Sequence, residues 1–166
     1  DETSGDVDGN VITNPSDNNA GLDIDPDGDT LTVVGVNTPD SNVGDPVAGS
    51  NGGVFTINPD GSFDFSANGE FESLAPGESE ETSVSYTVSD GNGGTATTTL
   101  TIRVNGLNDG PDATDNSYTV AQDEDGGDVD GNAITEDTGA GADSDPESDP
   151  LTVSEVNGNA ANVGAI

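Results

Sequence analysis

The sequence predicts an all-β protein of tandem sandwich repeats, and three features predict it. Short apolar or β-branched stretches alternate with turns rich in Gly, Asn and Asp, no stretch carries a helical period, and the chain repeats itself at an offset of 120 to 122 residues. Gly5-Asp6-Val7-Asp8-Gly9-Asn10 returns as Gly127-Asp128-Val129-Asp130-Gly131-Asn132. Asp25-Pro26-Asp27-Gly28-Asp29-Thr30-Leu31 returns as Asp145-Pro146-Glu147-Ser148-Asp149-Pro150-Leu151.

Within the first repeat, Thr30 to Val36 is β-branched and apolar and predicts a strand. Val54-Phe55-Thr56-Ile57 and Ser62-Phe63-Asp64-Phe65 flank Asn58-Pro59-Asp60-Gly61, a turn sequence, and predict a hairpin. Thr82 to Val88 alternates, with Val84, Tyr86 and Val88 on one face. Thr95 to Val104 also alternates, which points Ala96, Thr98, Leu100, Ile102 and Val104 inward. The Gly-rich loop Ser89 to Gly94 joins these two strands. Residues 105–112 break the pattern, so we divide the chain into a sandwich repeat (1–107), a linker (108–112) and the opening strands of a second repeat (113–166). The strand Ser117-Tyr118-Thr119-Val120 precedes Asp123-Glu124, whereas its counterpart before Asp1-Glu2 is missing. The first repeat therefore reads as lacking its first strand, either as a window on a longer repetitive protein or because neighbouring copies exchange strands. Gly139 to Ala142 reads as a small-residue loop without assignable chemistry.

Charge narrows the function. The 166 residues carry 34 acids and a single base, Arg103, for a formal net charge of −33. Such a chain repels nucleic acid and anionic membrane, and no basic patch offsets that. There is no Cys, which excludes disulfides and thiolate chemistry, and no His, which argues against zinc and other N/S-ligand metals. No apolar run approaches the ~18 residues of a membrane-spanning helix. Only 28% of residues are hydrophobic, so the core is lean and the self-repulsion of the acids needs an offset. Asp23, Asp25, Asp27 and Asp29 alternate through seven residues around Pro26 and Gly28. Hard oxygen donors crowded on one turn suit Ca²⁺, which takes about six to eight oxygens.

Four pieces occur in a characteristic order: Asp25-Pro26-Asp27-Gly28-Asp29-Thr30-Leu31, Leu74-Ala75-Pro76-Gly77-Glu78, Tyr86 to Thr95, and Asn108-Asp109-Gly110-Pro111. Together they resemble the VCBS and cadherin-like repeats of large bacterial RTX-type surface adhesins. The resemblance implies Ig-like sandwiches strung end to end, with calcium at the joints, extending a binding tip away from the cell. Ser148 replaces the glycine of the first acidic turn, and Gly110 precedes the linker proline, both departures from that pattern.

Alternating strand direction then sorts the acids. Asp1, Glu2, Asp6 and Asp8 fall at the bottom of repeat one, and Asp143, Asp145, Glu147 and Asp149 at the top of repeat two. Asn108, Asp109 and Asp112 run between, so the three sets are expected to share calcium. Asp23, Asp25, Asp27, Asp29 and Asp90 form the equivalent half-site at the top of repeat one. Glu70, Glu72, Glu136 and Asp137 read as plain surface. The expected role is a calcium-stiffened extender in a secreted or cell-surface adhesin or filament, with neighbouring repeats as partners. A fibre or matrix subunit joined by strand exchange between copies is the alternative. Enzymatic activity is not expected: a carboxylate pair for glycoside hydrolysis needs one desolvated member, and these acids sit in turns without aromatic walls.

Overall fold

The computed structural model describes residues 7–13, 22–37, 41–119 and 130–164. The chain divides into two compact units, Asp1–Leu107 and Asn108–Ile166. The linker residues 108–112 thus belong to the second unit.

The first unit is a two-sheet antiparallel sandwich. Its strands are β1 (Val7–Asn10), β2 (Thr32–Val36), β3 (Val47–Ala48), β4 (Val54–Ile57), β5 (Ser62–Ser66), β6 (Ser79–Ser89) and β7 (Thr95–Asn105). One sheet has the order β1-β5-β4-β3 and the other β2-β6-β7. The β4–β5 hairpin turns at Asn58 to Gly61, as its sequence predicts. Gly61 takes a φ of 84°, and the Asn58 amide donates across the turn to the Ser62 carbonyl at 2.8 Å. This register sets Phe55 opposite Phe65 with ring centroids 4.7 Å apart. Alternation then buries Phe55, Ile57, Phe63 and Phe65 on one sheet against Val33, Val36, Val84, Tyr86 and Val88 on the other, with Phe71 closing the core.

Two details fix how closely the sheets approach. Gly53 has a φ of 71°, and a Cβ there would lie 2.4 Å from the Phe65 ring, so only glycine lets the chain enter β4 over that ring. Thr82, wholly buried on β6, donates its hydroxyl to the Gly52 carbonyl at 2.7 Å and ties this entry to the opposite sheet.

The structure corrects several sequence expectations. β1 and β3 form where no strand was expected, and β2 begins at Thr32 rather than Thr30. Ala96 and Thr98 are exposed instead of buried, because β7 is the edge strand of its sheet, although their partners Val88 and Tyr86 on β6 are buried; Leu100, Ile102 and Val104 are only partly buried. In the second unit the expected opening strands are not seen among the described residues. It shows only the bridges Asp112–Ser144 and Val156–Asn159 and one 3-10 turn, Ala160–Asn162. The reason is pairing: β2, which Leu151 to Val153 repeats, is held by β6, and residues 108–166 contain no copy of β6. A lone strand leaves its backbone groups without a ladder.

The Phe55–Phe65 contact should carry the sandwich. Phe55→Ala is expected to destabilise unit one by about 3–5 kcal/mol, whereas Ile24→Ala, at an exposed position, should change little; chemical denaturation followed by circular dichroism checks both.

Candidate metal centre: the acidic turns

The acidic turn before β2 is built by its own first carboxylate. Asp25 Oδ1 accepts from the backbone N–H groups of Asp27 at 2.8 Å and Asp29 at 3.2 Å. The Gly28 amide donates to the Asp25 carbonyl at 3.1 Å, with Gly28 at a φ of 83°. Pro26 suits the first position inside such a turn because its φ is already fixed. The second unit repeats this geometry. Asp145 Oδ1 accepts from Glu147 at 3.1 Å and Asp149 at 2.9 Å, and Ser148 holds a φ of 65° where the first turn has glycine. The lost glycine therefore leaves the backbone path intact, at the modest strain of a left-handed serine.

The same arrangement organises two further loops. Asp90 Oδ1 accepts from Asn92 at 2.7 Å and Gly94 at 2.9 Å. Asp137 Oδ1 accepts from Gly139 at 2.8 Å and Gly141 at 2.9 Å. These two bonds, Gly139 first, hold the Asp137 carboxyl below its usual range. The Gly139 to Ala142 loop thus has an organiser, and Asp137 is a structural acid rather than plain surface. Glu136 likewise accepts from the Tyr118 hydroxyl at 2.7 Å and the Asn132 amide at 2.8 Å, which lower its pKa in that order. Glu70, also read as surface, accepts from the Gly53 amide at 2.9 Å.

In unit one the sandwich brings two of these turns together. Asp23, Asp25 and Asp90 line one cavity of about 280 Å³ beside Val88 and Leu31. Asp29 joins the group through Asn92, whose side-chain amide donates to Asp29 Oδ2 at 2.7 Å. Asp23 is anchored to the core: the Tyr86 hydroxyl donates to its Oδ2 at 3.1 Å and lies 3.3 Å from the Val11 carbonyl. Burial, then the Asp23 charge, pushes the Tyr86 phenol well above its ordinary pKa, so it stays a donor. Asp27 is exposed on the same turn. Asp8, by contrast, lies on β1 opposite Asp64 and is a sheet residue. Asp1, Glu2 and Asp6 lie outside the described residues.

In unit two, Asp109 is buried at 6% exposure, and its amide donates to Glu147 Oε1 at 3.3 Å. Asn108 caps the carbonyl of Asp109 with its side-chain amide. Asp112 and Ser144 exchange both backbone hydrogen bonds, at 2.7 and 3.0 Å. Asp143 accepts from the Thr114 amide at 2.8 Å. Linker and acidic turn are therefore one structure within this unit. Glu147 Oε2 is buried and accepts no hydrogen bond among the described residues. Exposed Asp149 completes the turn.

The family model for the bacterial cadherin-like domain matches residues 1–106. The chain belongs to this family. The match covers the sandwich unit, and as a bacterial cadherin-like domain that unit is an extracellular, adhesion-type repeat. A search of the curated proteins gave no match. Among the described residues no helix is long and apolar enough to cross a membrane.

The donor chemistry of the cadherin-like domain's acidic cavity fits a hard divalent cation: Asp23, Asp25, Asp29 and Asp90 supply only oxygens. As they stand, no three acids among the described residues close around one point. A cation there would draw in side chains whose backbone is already fixed by the turn bonds. Asp25 commits one oxygen to N–H groups and Asp90 both, its Oδ2 through a second contact from the Gly94 amide at 3.2 Å, while a carboxylate has about four lone-pair sites to offer.

Asp25 thus has two separable roles. In chelator, Asp25→Asn should hold stability within about 0.5 kcal/mol because Oδ1 still caps the turn, whereas Asp25→Ala should lose about 1 kcal/mol. Urea unfolding of the two variants checks this.

Proposed function

We propose that the chain is a calcium-stabilised extender repeat of a secreted or cell-surface adhesin or filament. Each acidic turn supplies part of a calcium site, completed by the neighbouring repeat. The observation that carries this reading is the repeated acidic turn. The same Asx-type backbone geometry is built at Asp25 and at Asp145, in units that otherwise differ in how much sheet they form. A turn that only reversed the chain would need a single acceptor at its first position. Here Asp23, Asp27 and Asp29 in one unit, and Glu147 and Asp149 in the other, add carboxylates that the turn does not require.

The chain's own residues do three things in this mechanism. Asp25, Asp90 and Asp145 hold the loops in shape, so that ordering them is not charged against cation binding. Tyr86 holds Asp23 against the core, so that occupancy of the cavity is felt by β6. In unit two, Glu147 presents a buried carboxylate oxygen that has no donor among the described residues, a burial that costs free energy until something positive compensates it. When bound, Ca²⁺ would be held in unit one by Asp23, Asp25, Asp29 and Asp90 and would supply the positive charge that offsets their mutual repulsion. Extracellular modules bind it at about 0.1–1 mM, which suits an ion that is abundant outside cells.

Binding to the folded state alone adds about 2.7 kcal/mol per site at a hundredfold excess over Kd. Calcium should therefore raise the melting temperature of the chain by several degrees, and EGTA should reverse the gain. Small-angle scattering should show a longer, stiffer particle with calcium than with EGTA. Sheet content, melting temperature and particle length that all ignore the chelator would reject the reading.

A further inference from the structure

We propose that the outer edge of β7 is a self-association surface, where a second copy of this chain adds its own β7 antiparallel and makes one continuous six-stranded sheet. β7 spends one edge on β6, in an uninterrupted register from Ser79–Asn105 to Ser89–Thr95. In the order β2-β6-β7 its other edge faces no strand among the described residues.

Natural edge strands are blunted by charges, prolines, bulges or shortness. β7 is nearly free of these devices. It runs for 11 residues without proline or bulge, and its one charge is Arg103 near the end. Residues 91–108 are the longest stretch of the chain without Asp or Glu, in a protein of net charge −33. Two such chains repel nearly everywhere, and β7 is where their backbones can meet without opposing carboxylates. Cover on its core-facing side is also incomplete. Leu100, Ile102 and Val104 are partly buried, although Val84, Tyr86 and Val88 on the adjacent strand are buried.

An antiparallel pair centred on Leu100 matches these features. It sets Leu100 beside Leu100 of the second copy, Ile102 beside Thr98, and Thr99 beside Thr101, keeping the apolar row on one face and the threonine row on the other. The competing donor, the opening segment of the second unit, is already engaged. Asn116 donates to the Ala133 carbonyl at 2.8 Å, the Ser117 amide to Thr138 at 3.0 Å, and Tyr118 to Glu136 at 2.7 Å. That segment also carries Asp112 and Asp115.

The test is sedimentation velocity of the full chain over a concentration series, at low salt and at about 1 M NaCl, where the Debye length falls to about 3 Å. A monomer–dimer equilibrium that tightens with salt is expected. The double variant T99E/T101E should weaken the dimer by about tenfold or more, with circular dichroism and melting unchanged. T99K/T101K should also fail to pair with itself, and an equimolar mixture of the two should restore a dimer, since Thr99 faces Thr101 across the axis. A monomer at every salt and concentration overturns the proposal. So does a dimer indifferent to both charge variants, or one abolished instead by Tyr118→Asp, which would assign the donor strand to the second unit.

Discussion

Carboxylate crowding is the constraint from which this structure follows. A chain with 34 acids and one base cannot fold by scattering its charges, because there are too few cations to pair them. It uses them instead as acceptors for backbone N–H groups. Asp25, Asp90, Asp137 and Asp145 each take two amides, at the second and fourth residues onward. Each such bond is charge-assisted and so is stronger than a neutral one. The acids are thereby the joints of the fold, and the turns they make are the places where more acids gather.

The sandwich makes this tolerable by keeping charge and core apart. Phe55, Phe63, Phe65 and Phe71 occupy the interior with valines from the facing sheet, and no Asp or Glu enters this cluster. Tyr86 is the connection between the two regions, with its ring in the core and its hydroxyl on Asp23. A change at the acidic cavity can therefore be transmitted to β6, the central strand of its sheet, which a solvated acidic face could not do.

Much of the first unit was legible in the sequence, and the reason lies in its side-chain period. The hairpin Val54 to Phe65, with its Asn-Pro-Asp-Gly turn, and the alternation of Val84, Tyr86 and Val88 state their strand and face directly. β1 and β3 were not legible, because Val7-Asp8-Gly9-Asn10 and Val47-Ala48 have turn-like or very short sequences and become strands only by pairing with β5 and β4. The alternation of β7 was read correctly, but its burial was not, since edge position is a property of the sheet rather than of the strand. Among the acids, sequence reasoning grouped Asp23, Asp25, Asp29 and Asp90, which the fold brings together. Asp8 it placed in a turn, whereas β1 carries it in the sheet opposite Asp64. It also passed over Asp137, although the spacing to Gly139 and Gly141 is the one that links Asp90 to Asn92 and Gly94. The hydroxyl of Tyr86 gave no signal, as alternation reports only which way a ring points.

The absence of tryptophan, with only two tyrosines, makes one measurement especially direct. Tb³⁺ substitutes for Ca²⁺ at oxygen sites and luminesces when a nearby excited tyrosine sensitises it. Tyr86 touches Asp23, so Tb³⁺ in the cavity of unit one should be sensitised. The emission should persist in Tyr118→Phe, where Tyr86 is the single remaining tyrosine, and should be displaced there by Ca²⁺ in preference to Mg²⁺. No sensitised emission from the folded Tyr118→Phe chain would contradict a cation at that acidic turn.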